Sequence, residues 1–166
     1  DVSLEKAIDE HLKQLDSLNE QEAGEIFFDF KVADISMGSG NFLLAAVDRI
    51  ESRFSGYLTK RNLPLVTKEL DHLRKSAKKT LAKAAGSYHE IEDGNLLRRQ
   101  IARRCIYGID NNEVAVNLSR LGLWIHTFIP GLPLSLLERN LVHGDSLMGI
   151  SNLSEIEEKL KVDEGE

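Results

Sequence analysis

The sequence predicts an α/β fold built on a parallel sheet. Three observations carry this: three short apolar strand segments, helical segments between them, and a polar or glycine-containing turn after each strand. In such sheets ligands bind outside the carboxyl ends of the strands, so the three turns are the first place to look for chemistry. The composition agrees with a globular domain: of 166 residues, 42% are hydrophobic and 29% charged. No apolar run reaches the length of a membrane span, so no membrane partner is expected. The lone cysteine, Cys105, excludes a disulfide framework and a multi-cysteine zinc site. The five histidines are scattered without ligand spacing, and no metal is expected. An acidic, polar N-terminus that does not read as a secretory signal gives a cytoplasmic expectation. The first residue is Asp1, not Met, and a processed chain or a piece of a longer one is expected.

Taken in order, Leu4, Ile8, Leu12, Leu15 and Leu18 recur at helical spacing and predict an amphipathic helix over residues 3–19. Residues 1–25 are read as an N-terminal helical segment ending in an acidic stretch. In Phe27–Ile35 the alternation of Phe28, Phe30 and Val32 predicts the first strand, which runs into the Ser36–Gly40 turn. A helix over Phe42–Phe54 follows. Residues 55–104 form a basic helical insertion: Pro64 opens a helix over Thr67–Ala85, Gly86–Gly94 is a polar loop, and Leu96–Arg104 is a shorter helix. Cys105–Asp110 is the second strand. The helix after it carries Val114, Leu118, Leu121, Trp124, Ile125 and Phe128, and Ile129–Leu134 stops it with two prolines and a glycine. Leu141–Asp145 is the third strand. Residues 151–166 make a C-terminal polar helix and tail.

The net charge of −6 conceals an asymmetry. Between Lys60 and Arg104 stand twelve Lys/Arg and five acids, a segment of +7 within a remainder of −13. It is either a solvated helical face or a phosphate-contacting surface.

The turns offer specific chemistry. Gly38-Ser39-Gly40 lets backbone approach a ligand closely and opens a helix, favouring an anionic group; it is equally a plain structural turn. The dinucleotide fingerprint fails, because Leu43 stands where its last glycine belongs, and no Gly-Lys-Ser/Thr completes a phosphate loop. Asp34 either caps its turn or meets a cationic ligand group. Asp110 can accept from both hydroxyls of a ribose and can also cap the next helix. Asp145 is a turn residue or an acceptor for an exocyclic amine. Three acids and a glycine loop suit a nucleoside with a charged amino-acid tail, which describes S-adenosyl-L-methionine.

VADISMGSGNFL resembles motif I of the N6-adenine-specific DNA methyltransferases, usually D-P-A-C/M-G-S-G-x-F-L. IYGIDNNEVAVNLSRLGLWIHTF resembles their second motif region, and NLVHGDSLMGI their third. The likeness covers roughly residues 28–150 and is closest to the large adenine methylases of restriction-modification and phage-defence systems. It implies a partial Rossmann-like class I methyltransferase fold, with strands in the order 3-2-1 and later strands missing. Residues 26–150 would then be the cofactor-binding half of that domain. It further implies that Asp34, Gly38, Ser39 and Gly40 form the loop around the methionine part of S-adenosyl-L-methionine, that Asn41 is a further cofactor-binding residue, and that Phe42 either packs over the cofactor or belongs to the core. Asp110 would hold the ribose hydroxyls, Asn111 would lie beside the adenine, Asp145 would meet the adenine amine, and Ser146 or Leu147 would line that pocket. The implied partner of the parent protein is double-stranded DNA.

Two departures stand out. Ile35-Ser36 replaces Pro-Ala, and no Asn/Asp-Pro-Pro-Tyr/Phe segment occurs anywhere. In the family that segment accepts the two hydrogens of adenine N6 and stacks on the flipped base. No catalytic residue is therefore assigned, and a cofactor-binding fragment is expected. The alternatives are a non-catalytic nucleoside- or nucleic-acid-binding module of the same fold, or a methyltransferase acting on RNA or protein. The edge of the first strand is expected either to pair in a homodimer or to be covered by the N-terminal helix.

Overall fold

Local signals explain the observed elements. The computed structural model describes residues 2–84, 91–133, 137 and 139–146. It contains helix α1 (Val2–Asp16), helix α2 (Glu20–Ile26), strand β1 (Val32–Asp34), helix α3 (Asn41–Lys60), helix α4 (Pro64–Ala84), helix α5 (Asp93–Arg104), strand β2 (Ile106–Asp110), helix α6 (Glu113–His126) and strand β3 (Leu141–His143). The helix expected over Leu153–Val162 lies outside the described residues, as does most of the Gly86–Gly94 loop.

The first expected strand is much shorter than its apolar alternation implies. Asn19 caps α2 through its side chain and Glu22 caps back onto the Asn19 amide, so the acidic stretch is helical as far as Ile26. Phe27 and Phe28 then enter an aromatic cluster rather than a pleated strand. Phe27 lies 4.5 Å from Phe54 and 5.0 Å from Phe28, ring centre to ring centre. Only Val32–Asp34 pairs as strand. An alternation of aromatics is ambiguous for this reason: a cluster against a helix satisfies burial as fully as a pleat does.

The sheet is three-stranded and wholly parallel, in the order β1-β2-β3. The order agrees with the sequence expectation, and the fold is mixed α/β. Val32 pairs with Ile106, and Gly108 with Leu141; these four residues are buried. They line the face covered by α3 and α6, which also pack on one another. The opposite face carries Ala33, Tyr107, Ile109 and Val142, none of them buried.

Helix α1 does not take the expected place along β1. Its principal contacts are with α3 and α2, where Ile8 and Leu15 join the common core. Arg61 ties the end of α1 to α3 by donating to the carbonyls of Leu15 and Leu18 at 2.7 and 2.5 Å. Helix α3 buries Leu43, Ala46, Val47, Ile50 and Phe54, the single broad apolar face its sequence predicts. Pro64 opens α4 three residues ahead of the expected start, as its fixed φ and missing N–H favour.

Helix α6 holds a further correction. The apolar positions that stand out in its sequence, Val114, Leu118, Leu121, Ile125 and Phe128, are all exposed. Trp124 is half-buried at the helix flank, edge-on to Phe128. The buried face is Val116, Ser119 and Leu123. The helix is apolar on two opposite sides, and packing selects the less conspicuous one.

Candidate functional site

The strand ends and the glycine loop form the candidate site. Parallel pairing sets Asp34 beside Gly108 and Asp110 beside His143, so the carboxyl ends of the three strands share one sheet edge. The loop after β1 folds back over β2: Met37 N–H donates to Ile109 O at 3.2 Å. Gly38 N–H donates to the Asp110 carboxylate at 2.8 Å. Asp110 thereby holds the loop to the second strand. Its other oxygen accepts from Asn112 N–H at 2.9 Å. The bonds from the Asn112 and Gly38 amides hold the carboxyl below its usual value of 3.8 against a smaller opposing effect of desolvation, and His143 acts in the same direction as the amides. The group is an anion with its position set by backbone, not by a cation.

Two glycines of the loop lie in the left-handed region, Gly38 at φ 52° and Gly40 at φ 80°. At Gly38 a Cβ would meet nothing within 4 Å, so this turn of backbone faces open space beside Asp110. At Gly40, the N-cap of α3, a Cβ would come within 2.8 Å of Ser119 Oγ. Ser119 is buried on α6 and donates to Gly38 O at 2.8 Å, locking the loop from below. Sequence reasoning missed Ser119, because a serine inside a helical run gives no signal of a distant loop.

Gly108 was also missed. A side chain there would run into the Met37 sulfur, with Leu43 and Leu141 close behind. The glycine in the middle of β2 is what allows the loop to cross the strand.

The other expected residues fall as follows. Asp34 is half-buried and accepts from Ser36 N–H at 3.1 Å, the turn-capping role. Ser39, Asn41 and Phe42 are exposed at the mouth of the loop. Asn111 is exposed, and its carbonyl lies 3.0 Å from His143 Nε2. Asn112, not Asp110, supplies the side-chain cap of α6, accepting from Val114 and Ala115. Asp145 and Ser146 are exposed beyond β3. The structure brings the loop, Asp110 and Asn111 together directly and sets Asp34, Asp145 and Ser146 at the same sheet edge. No group of three or more potential metal ligands occurs among the described residues.

Cys105 is buried at the entry to β2, where loss of hydration pushes its thiol up to about 12. It is a core residue with an inert thiol. His126 pairs with Asp48 at 2.7 Å and joins α6 to α3.

Two clefts lie away from this edge. One, of about 270 Å³, runs between α3, α4 and α5 beside Thr67 and Arg74; the other, of about 410 Å³, lies between α1 and α3 beside Asp9 and Arg53. Ion pairs span both clefts, Arg74 of α4 with Asp93 of α5 and Arg53 of α3 with Asp9 of α1.

No protein-family model matches the chain, and neither the curated proteins nor the solved structures include a significant match.

Proposed function

We propose that this chain is the S-adenosyl-L-methionine-binding portion of an N6-adenine-specific DNA methyltransferase of a restriction-modification or defence system, acting on double-stranded DNA. One observation carries the reading. The segments that resemble motif I and motif II are joined at the sheet edge by the Asp110–Gly38 bond. The residues fit the cofactor. Gly38 leaves backbone open to a ligand, and the Asp110 oxygens, each accepting one amide, have further lone pairs for a diol.

In this reading Gly38, Ser39 and Gly40, with Asp34, Asn41 and Phe42, hold the amino-acid end. Asp110 accepts from the ribose hydroxyls, and Asn111, Asp145 and Ser146 border the adenine. S-adenosyl-L-methionine supplies an electrophilic methyl group on a sulfonium. The chain's own part is to bind and orient. Asp110 offers a fixed anion, and Ser119 keeps the loop from shifting beneath the ligand.

The chain contains no segment that serves adenine N6: its three prolines, Pro64, Pro130 and Pro133, are never adjacent. That favours, as a second reading, a module that binds nucleoside without transferring methyl.

Calorimetric titration of S-adenosyl-L-methionine into the chain tests the site. Measurable binding is expected, with a loss of at least about tenfold in Asp110→Ala, in keeping with charge-assisted hydrogen bonds of about 1.5–3 kcal/mol. Binding that survives Asp110→Ala unchanged refutes the assigned site. Incubation of the parent protein with methyl-labelled cofactor and duplex DNA separates the two readings: labelled DNA supports the methyltransferase, and unlabelled DNA with cofactor bound supports the binding module.

A further inference from the structure

The basic island of residues 60–104 divides cleanly once its partners are known. Five of its six arginines are engaged by other parts of the chain, and Arg103 alone of the six is exposed. Arg61 caps α1, Arg98 pairs with Asp48 and Glu51, and Arg99, only 4% exposed, donates to Pro133 O. Arg74 pairs with Asp71 and Asp93, while Arg104 pairs with Glu69 and lies over the Phe28 ring. These side chains hold the helices together and are not free for a ligand.

The lysines of α4 behave differently. Lys68, Lys75 and Lys79, with His72 between them, recur at intervals of four, three and four residues, and all are exposed. At 100° per residue they lie opposite the buried Val66, Leu70 and Ala77. None of these lysines makes an ion pair among the described residues. The two acids of the helix are engaged elsewhere: Glu69 by Gln100 and Arg104, Asp71 by Arg74. What remains is a row of three lysines about 16 Å long without ion-pair partners among the described residues, in a protein of net charge −6.

We propose that this face of α4 docks the phosphate backbone of duplex DNA. The chemistry favours a duplex over the other polyanions. Single-stranded nucleic acid is gripped by aromatic stacking, and α4 contains no Phe, Tyr or Trp. An interfacial membrane helix needs a free apolar face below its lysines, and that of α4 is spent on the core. A row of lysines without stacking groups suits the dense charge of a duplex, one phosphate per about 1.7 Å of axis. The face makes no base contacts, so it supplies affinity and orientation without sequence preference. It is separate from the strand-end site and does not depend on the cofactor reading.

The test is fluorescence anisotropy of a short labelled duplex of mixed sequence with the full chain, across a series of low salt concentrations. In Lys68→Gln/Lys75→Gln/Lys79→Gln the affinity is expected to fall about tenfold or more. The slope of log affinity against log salt is expected to flatten by about 2 to 3, near 0.9 per phosphate released. All three side chains are exposed, so the unfolding midpoint and any S-adenosyl-L-methionine binding are expected to stay at the wild-type value. A control, Lys6→Gln/Lys13→Gln on α1, is expected to bind the duplex as wild type does. Unchanged affinity and slope in the triple variant overturn the proposal. So does an equal loss in the control, which would make net charge the cause. Loss confined to single-stranded RNA or to phosphatidylserine vesicles, with duplex binding intact, overturns it as well.

Discussion

Cys105 illustrates how burial alone sets a residue's chemistry. Its sulfhydryl, fully enclosed, donates to Phe28 O at 3.6 Å. Because the thiol is pushed up to about 12 in the folded chain, it stays neutral there while an unfolded thiol ionises near its ordinary 9.0. The unfolded state then binds fewer protons, so stability is complete below about pH 9 and falls as pH rises toward 12. Denaturant unfolding of the wild type is expected to lose stability across that window more steeply than Cys105→Ala. Parallel curves would show that the thiol is not shielded. Asp110 is the opposite case, an anion stabilised by two amides at a half-open edge. Both residues were legible as types in the sequence. Their surroundings were not, since Phe28 and Gly38 lie more than seventy residues away along the chain.

At the scale of elements, the candidate site is a junction between a loop and two helices. Gly40 starts α3, and Ser119 of α6 fills the space its missing side chain leaves. Gly40→Ala is expected to cost about 1–3 kcal/mol in denaturant unfolding, from the left-handed backbone and the close approach to Ser119 together. Adding Ser119→Ala is expected to recover only part of that. The hydroxyl is removed, but the backbone strain and the 3.2 Å approach to the Ser119 Cα remain. An unchanged midpoint for Gly40→Ala would contradict this packing. The glycine loop was visible in the sequence as Gly38-Ser39-Gly40. Its lock was not, because hydroxyl side chains in helices are common and carry no address. Strand β1 shows the limit from the other side: Phe28 and Phe30 alternate like a strand, yet the aromatic cluster around Phe54 claims them.

For the molecule as a whole, the notable feature is apolar surface left outside the core. The row Val114, Leu118, Leu121, Ile125 and Phe128 runs along the outer side of α6 at alternating four- and three-residue steps. On the far side of the sheet, Ile35 and Val142 are 65% and 47% exposed. Contiguous apolar surface of this kind promotes association. Replacing Leu118, Leu121 and Ile125 by Gln is expected to raise solubility and suppress concentration-dependent sedimentation. The unfolding free energy is expected to stay within about 0.5 kcal/mol of wild type per substitution, the usual range for surface changes. A large loss of stability would place these side chains in the core instead. No helix among the described residues is long and apolar enough to cross a membrane.

The sequence by itself determined the order of helices and strands apart from α2, the parallel sheet, and the identity of the turns that end its strands. These follow from local periodicity and from residues such as Pro64, Gly38 and Asp110, whose preferences act over a few neighbours. Only the tertiary structure decided which apolar face of α6 is buried, that Asp110 is bound to the Gly38 amide, and that five of the six arginines of the basic segment are engaged within the fold while Lys68, Lys75 and Lys79 of α4 are exposed. The physical reason is common to all three. Burial and pairing depend on what the rest of the chain brings alongside, and a helix apolar on both sides, or a segment rich in both Lys and Arg, has no local preference strong enough to choose.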